Sequence, residues 1–124
     1  MSTILVVDDD ADICALVAHK LGANGHRVLV ENDGEAGLAA AREAVPDLVL
    51  LDWMMPRMGG IEVCLALRAD EHLADIPIIL LTAKAQEADV QRGFAAGADD
   101  YIVKPFSPRE LGSRTEALLA RAQR

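Results

Sequence analysis

Short apolar runs recur along the chain at Ile4–Val7, Val28–Val30, Leu48–Leu51, Ile78–Leu81 and Tyr101–Val103. Each is short and bounded by turn-forming residues, which predicts a β-strand, and an unbroken run such as Leu48–Leu51 predicts a strand covered on both faces. The intervening segments carry helical spacing. Ile13, Leu16, Val17 and Leu21 form one stripe, and Ala36, Leu38, Ala39 and Ala40 a weaker one. Ile61, Leu65 and Leu67 follow the third run, Val90 and Phe94 the fourth, and Leu111, Thr115, Leu118 and Leu119 the fifth. Regular strand–helix alternation predicts an α/β fold, a doubly wound sheet of five parallel strands with helices on both faces. No repeat, linker or low-complexity stretch interrupts residues 1–124, which read as a single domain starting at a natural Met1.

Local signals place the boundaries. Ser107-Pro108-Arg109-Glu110 has the form of a capping box with proline at the first helical position. Asp10 and Asp33 suit the N-caps of the first two helices. Gly97 suits the left-handed position after the fourth helix, and Asp47 after Pro46 marks entry to the third strand. Gly59 stands at the cap position ahead of Gly60, where glycine costs only about a few tenths of a kcal/mol relative to a side-chain cap.

Composition narrows the function classes. Hydrophobic residues make up 52% and aromatic residues 3%, so the core is aliphatic. A net charge of −8 argues against direct nucleic-acid binding, which needs clustered Lys and Arg. No apolar run reaches the roughly 20 residues that span a bilayer, and no signal-peptide pattern opens the chain. Cys14 and Cys64 fit neither a metal-ligand spacing nor a disulfide framework, as expected of a reduced cytoplasmic protein. They read as small buried apolar residues on helices covering opposite faces. His19, His26 and His72 share no ligand spacing, and Trp53 reads as a rim aromatic.

The candidate chemistry lies at strand ends. The first strand ends in Asp8, Asp9 and Asp10, the third in Asp52, the fourth in Thr82 and the fifth in Lys104. Ligands of an open parallel sheet bind outside the carboxyl ends of its strands. Strands one and three are neighbours at the switch point, so their carboxylates converge. Two such charges ~4 Å apart repel by about 4 kcal/mol at an effective dielectric near 20, and hard oxygens of this kind suit Mg²⁺. Asp10 alone is better explained as a helix cap. A carboxylate can serve as a phosphoryl acceptor, and Thr82 and Lys104 can donate to the transferred group.

The segments Ile-Leu-Val-Val-Asp-Asp-Asp (4–10), Leu-Leu-Asp-Trp-Met-Met-Pro (50–56), Leu-Leu-Thr-Ala-Lys (80–84) and Gly-Ala-Asp-Asp-Tyr-Ile-Val-Lys-Pro-Phe (97–106) together resemble the response-regulator receiver domains of bacterial two-component signalling. The resemblance spans the chain and implies strand order 2-1-3-4-5. It implies that Asp52 is the phosphoacceptor for a sensor histidine kinase or phosphotransfer protein. By the same resemblance, Asp9 and Asp52 bind Mg²⁺ directly, Asp8 acts through water, and the Met54 backbone carbonyl completes the set. Lys104 and Thr82 then contact the phosphoryl oxygens, Ala83 leaves them room, Lys104–Pro105 is cis, and Tyr101 is a switch aromatic that turns inward when Thr82 moves. The resemblance also implies a phosphoacceptor that assists its own phosphorylation and dephosphorylation without being an enzyme in the ordinary sense.

The style is closest to the receivers of winged-helix transcriptional regulators, of which residues 1–124 would be the N-terminal part. Those dimerise on phosphorylation through helix four, strand five and helix five. Asp99 or Asp100 with Arg114 and Arg121 would supply cross-dimer ion pairs, while Val90 stands where a basic partner of Glu110 is usual. Met54 offers an attacking water no strong donor or acceptor and Lys84 can reach over the phosphoryl group, so a long-lived aspartyl-phosphate is expected. Two other readings compete: a receiver-like binding module that is never phosphorylated, and an aspartate-nucleophile phosphatase using Asp8 and Asp10.

Overall fold

The aliphatic runs form strands in the computed structural model, which describes residues 1–122. Strands β1 (Thr3–Val7), β2 (Arg27–Glu31), β3 (Leu48–Asp52), β4 (Ile78–Thr82) and β5 (Asp100–Val103) alternate with helices α1 (Ala11–Ala23), α2 (Gly34–Ala44), α3 (Gly60–Ala69), α4 (Glu87–Ala95) and α5 (Pro108–Ala122). All pairings are parallel and the order is β2-β1-β3-β4-β5, as the resemblance implied.

Alternation along each strand divides the core in two. Leu5, Val7, Val49, Leu51, Ile78 and Leu80 face α2, α3 and α4, while Ile4, Val6, Leu48, Leu50, Ile79 and Leu81 face α1 and α5. Strands β3 and β4 are buried at every position, because helices cover both faces of the sheet's centre. Cys14 and Cys64 belong to opposite halves and are buried free thiols.

Caps agree with expectation at three helices. The Asp10 carboxylate accepts from the Asp12 and Ile13 N–H groups (2.9 and 3.3 Å), and that of Asp33 from Ala36 N–H (2.8 Å). Gly97 follows α4 at φ 113°. The capping box of α5 is half formed. Ser107 Oγ accepts from Glu110 N–H (3.0 Å), but Arg114 holds the Glu110 carboxylate at 3.2 Å instead of its reaching back to Ser107.

Several helix faces differ from the apolar stripes. Helix α2 buries Gly34, Gly37, Leu38 and Ala41, and Ala39 faces solvent. A Cβ on Gly37 would lie 2.7 Å from the Val7 methyls, so the absence of a side chain lets α2 approach β1. Leu65 is 53% exposed and Phe94 44%. Helix α4 instead turns Gly93 inward, where a Cβ would meet Leu80 at 2.9 Å. Trp53 is not a rim aromatic. It is buried in the α2–α3–α4 half of the core, edge-on to Tyr101 at 6.2 Å.

Candidate functional site

Sheet register brings the strand ends to one rim. Val7 lies beside Leu51, Asp52 beside Leu81, and Thr82 beside Val103. Pairing continues one residue past the strands: Asp8 N–H donates to Glu31 C=O (3.1 Å), Trp53 N–H to Leu81 C=O (3.1 Å) and Lys104 N–H to Thr82 C=O (2.8 Å). The backbones carrying Asp8, Asp52 and Lys104 are thereby pinned before any ligand arrives.

Asp8, Asp9 and Asp52 each present a carboxylate oxygen within 4.8 Å of the others. Asp8 and Asp52 are buried and Asp9 is exposed. Lys104 Nζ donates to Asp8 Oδ2 at 2.8 Å and to Asp52 Oδ1 at 3.2 Å. Asp8 Oδ1 accepts from Asp10 N–H at 2.9 Å, so both Asp8 oxygens are engaged. Asp10 caps α1 and stays outside the cluster.

Burial pushes the Asp52 carboxyl up to about 6, helped by the neighbouring Asp8 charge and opposed by Lys104. Burial also works against the Lys104 ammonium, but the Asp8 and Asp52 carboxylates outweigh it and raise its pKa. Three carboxylates facing one ammonium leave an anionic pocket of hard oxygens at neutral pH. That donor set fits a divalent cation such as Mg²⁺.

On the other side of Asp52, buried Thr82 accepts from Lys84 N–H at its Oγ1 (3.1 Å). Tyr101 is already turned inward and donates its hydroxyl proton to the Lys84 carbonyl. Burial, then the Asp89 charge, raises the phenol's pKa. Lys84 therefore connects Thr82 to Tyr101 through its own peptide groups. Its ammonium lies 5.7 Å from the centre of the Trp53 ring, with Arg92 at 5.9 Å. The aromatic face attracts both cations. Met54 follows with its side chain 62% exposed.

Supports of Asp8 that the sequence did not reveal are Asn32 Nδ2 (3.2 Å) and Cys14 Sγ (3.3 Å), which both donate to its backbone carbonyl. Cys14 lies one turn into α1, a spacing that could have signalled contact with the end of β1. Lys104–Pro105 is cis. Asp99 pairs with Arg68 (2.8 Å) and Asp100 with Arg114 (3.1 Å), so within one chain these acids already have basic partners.

The chain matches the response regulator receiver domain over residues 4–116. It is 51% identical over 118 residues to the DNA-binding response regulator MtrA of Mycobacterium tuberculosis, covering 95% of this chain and 50% of that one. It is 48% identical over 119 residues to the phosphate regulon transcriptional regulatory protein PhoB of Pseudomonas aeruginosa, covering 96% and 52%. The chain thus spans about half the length of the curated relatives it matches. The chemotaxis protein CheY4 of Vibrio cholerae superposes with a TM-score of 0.91 at 35% identity, over 95% of this chain and 98% of that one. Among the described residues no helix is long and apolar enough to cross a membrane. Fold, strand-end groups and relatives agree: this chain belongs to the response regulator receiver domain family of two-component signalling.

Proposed function

We propose that residues 1–124 act as a phosphorylation-activated receiver unit in which Asp52 takes a phosphoryl group from the phosphohistidine of a sensor kinase or phosphotransfer protein. A carboxylate oxygen of Asp52 bonds to phosphorus as the P–N bond breaks, and the histidine nitrogen leaves with the electron pair. The observation that carries this reading is the buried Asp52 carboxylate at 3.2 Å from Lys104 and within 4.8 Å of Asp8 and Asp9. Lys104 keeps Asp8 as its anchor at 2.8 Å while its remaining protons turn to the phosphoryl oxygens.

Asp8, Asp9, Asp52 and the Met54 carbonyl would hold Mg²⁺, whose charge offsets that of the phosphoryl oxygens. The exposed Asp9 and the Met54 loop leave this side open to the donor. Thr82 Oγ1 accepts from Lys84 N–H, so its hydroxyl proton is available to the phosphoryl group. A shift of Thr82 pulls on Lys84, and through the Lys84 carbonyl on Tyr101. The added charge of about −1.5 to −2 thereby biases the α4–β5–α5 face, which serves a phosphorylation-dependent homodimer. The phosphatase alternative needs a free Asp8, and both its oxygens are engaged.

Intact-mass analysis after acetyl phosphate and Mg²⁺ tests the assignment. The natural chain should gain one phosphoryl group and Asp52→Asn none; equal labelling of both overturns it. Elution with and without beryllofluoride tests dimerisation, and an unchanged monomer removes it.

A further inference from the structure

We propose that the β2 edge of the sheet pairs antiparallel with the β2 edge of a second copy of this chain, centred on Leu29, independently of phosphorylation. Strand β2 is an edge strand bonded on one side to β1. Arg27 N–H donates to Ser2 C=O (2.9 Å) and Glu31 C=O accepts from Asp8 N–H (3.1 Å). By strand alternation the peptide groups of Arg27, Leu29 and Glu31 face β1, and those of Val28 and Val30 face outward. Natural edges are usually blunted by proline, lysine or a bulge. Here the register with β1 runs unbroken from Thr3–Arg27 to Val7–Glu31, and Val30 is 40% exposed. The opposite edge, β5, is shorter and runs into Lys104 and Pro105.

The sequence Arg-Val-Leu-Val-Glu is self-complementary in the antiparallel sense, and this selects a second copy as the occupant. With Leu29 opposite Leu29 of its copy, Val28 stands opposite Val30, and Arg27 opposite Glu31. The outward peptide groups of Val28 and Val30 then exchange hydrogen bonds as narrow pairs. Each Arg27 meets a Glu31 on the same face of the joined sheet, a favourable cross-strand charge pair. Beside the edge runs an open groove of about 600 Å³, bordered on α2 by the small Ala40 and Ala44, which leaves room for the partner's side chains. Antiparallel pairing directs the two acidic pockets to opposite ends of the joined sheet. It also leaves the α4–β5–α5 face free, so both contacts can coexist.

The contact is short, so association is weak and concentration-dependent. Sedimentation equilibrium over a series of rising protein concentrations, without phosphoryl donor or beryllofluoride, should show a monomer–dimer equilibrium. Val30→Lys should weaken it at least tenfold. Arg27→Glu and Glu31→Arg should each weaken it by placing like charges opposite one another, and the double swap should restore it. In a wide pair the facing Cα atoms lie about 4.5 Å apart, within disulfide reach, so Leu29→Cys should cross-link to its copy under mild oxidation. Each variant's thermal melt checks that it is folded. A natural chain monomeric throughout the range overturns the proposal. So does a dimer that survives Val30→Lys, a double swap no tighter than the single ones, or a Leu29→Cys chain that stays reduced.

Discussion

Replacing Asp52 with Asn should stabilise the metal-free protein, although it removes a hydrogen bond. Asp52 ionises near 6 instead of the ordinary 3.8, because burial and then the Asp8 charge oppose its negative form. The folded chain therefore holds this proton more tightly than the unfolded chain, so stability falls as pH rises from about 4 to about 6. At about 1.36 kcal/mol per pH unit, full ionisation costs up to about 3 kcal/mol. Asn removes that cost, and Lys104 is not orphaned because Asp8 remains at 2.8 Å. We expect Asp52→Asn to be more stable by about 1–3 kcal/mol at pH 7.5 in EDTA, or roughly 3–10 °C in Tm. The difference should shrink to nothing below about pH 3, under the ordinary value of 3.8, where the natural carboxyl is protonated in both states. Mg²⁺ should narrow it at pH 7.5, since an ion held by these carboxylates stabilises the natural chain more. Denaturant melts at several pH values measure each of these. A variant less stable at pH 7.5, or a difference independent of pH, would refute the electrostatic reasoning.

Four other outcomes follow from named contacts. Thr115 Oγ1 is buried without a hydrogen-bond partner, so Thr115→Val should leave stability unchanged or raise it by about 1 kcal/mol; a loss in a urea melt would reveal a hidden partner. Arg68 donates to the carbonyls of Ala74, Ile76 and Gly97 and to Asp99, tying α3 to the loops before β4 and β5. Arg68→Ala should cost about 2–4 kcal/mol, and a change within a few tenths in the same melt would contradict that role. The Cys14 thiol is pushed up to about 11, chiefly by burial and then by Asp8, so it should stay neutral and unreactive toward a thiol reagent at pH 8 until the chain unfolds. Met54→Asn should shorten the lifetime of the phosphorylated chain severalfold by orienting a water; an unchanged decay of label would count against that account.

Much of the architecture was legible because its signals are local. A strand buried on both faces must be apolar at consecutive positions, so Leu48–Leu51 and Ile78–Leu81 announce themselves. Asp10, Asp33 and Gly97 mark helix ends through bonds and backbone angles spanning a few residues. The candidate chemistry was legible for a related reason: a parallel sheet delivers every strand's carboxyl end to one rim, so residues 8, 52, 82 and 104 were grouped by topology.

Other features depended on which atoms met across the fold. Periodicity treats Ala39, Leu65 and Phe94 as core, but Gly37 and Gly93 form the inner faces of α2 and α4 because close approach matters more there than hydrophobicity. Trp53 looked peripheral beside a charged residue, yet it is buried against Tyr101 and carries the Lys84 ammonium over its ring. The sharing of Lys104 between Asp8 and Asp52 likewise follows from register and burial. Sequence alone fixed the residue types and the rim they occupy. Tertiary structure decided the ångström separations and the exclusion of water, on which the strength of every charge interaction there depends.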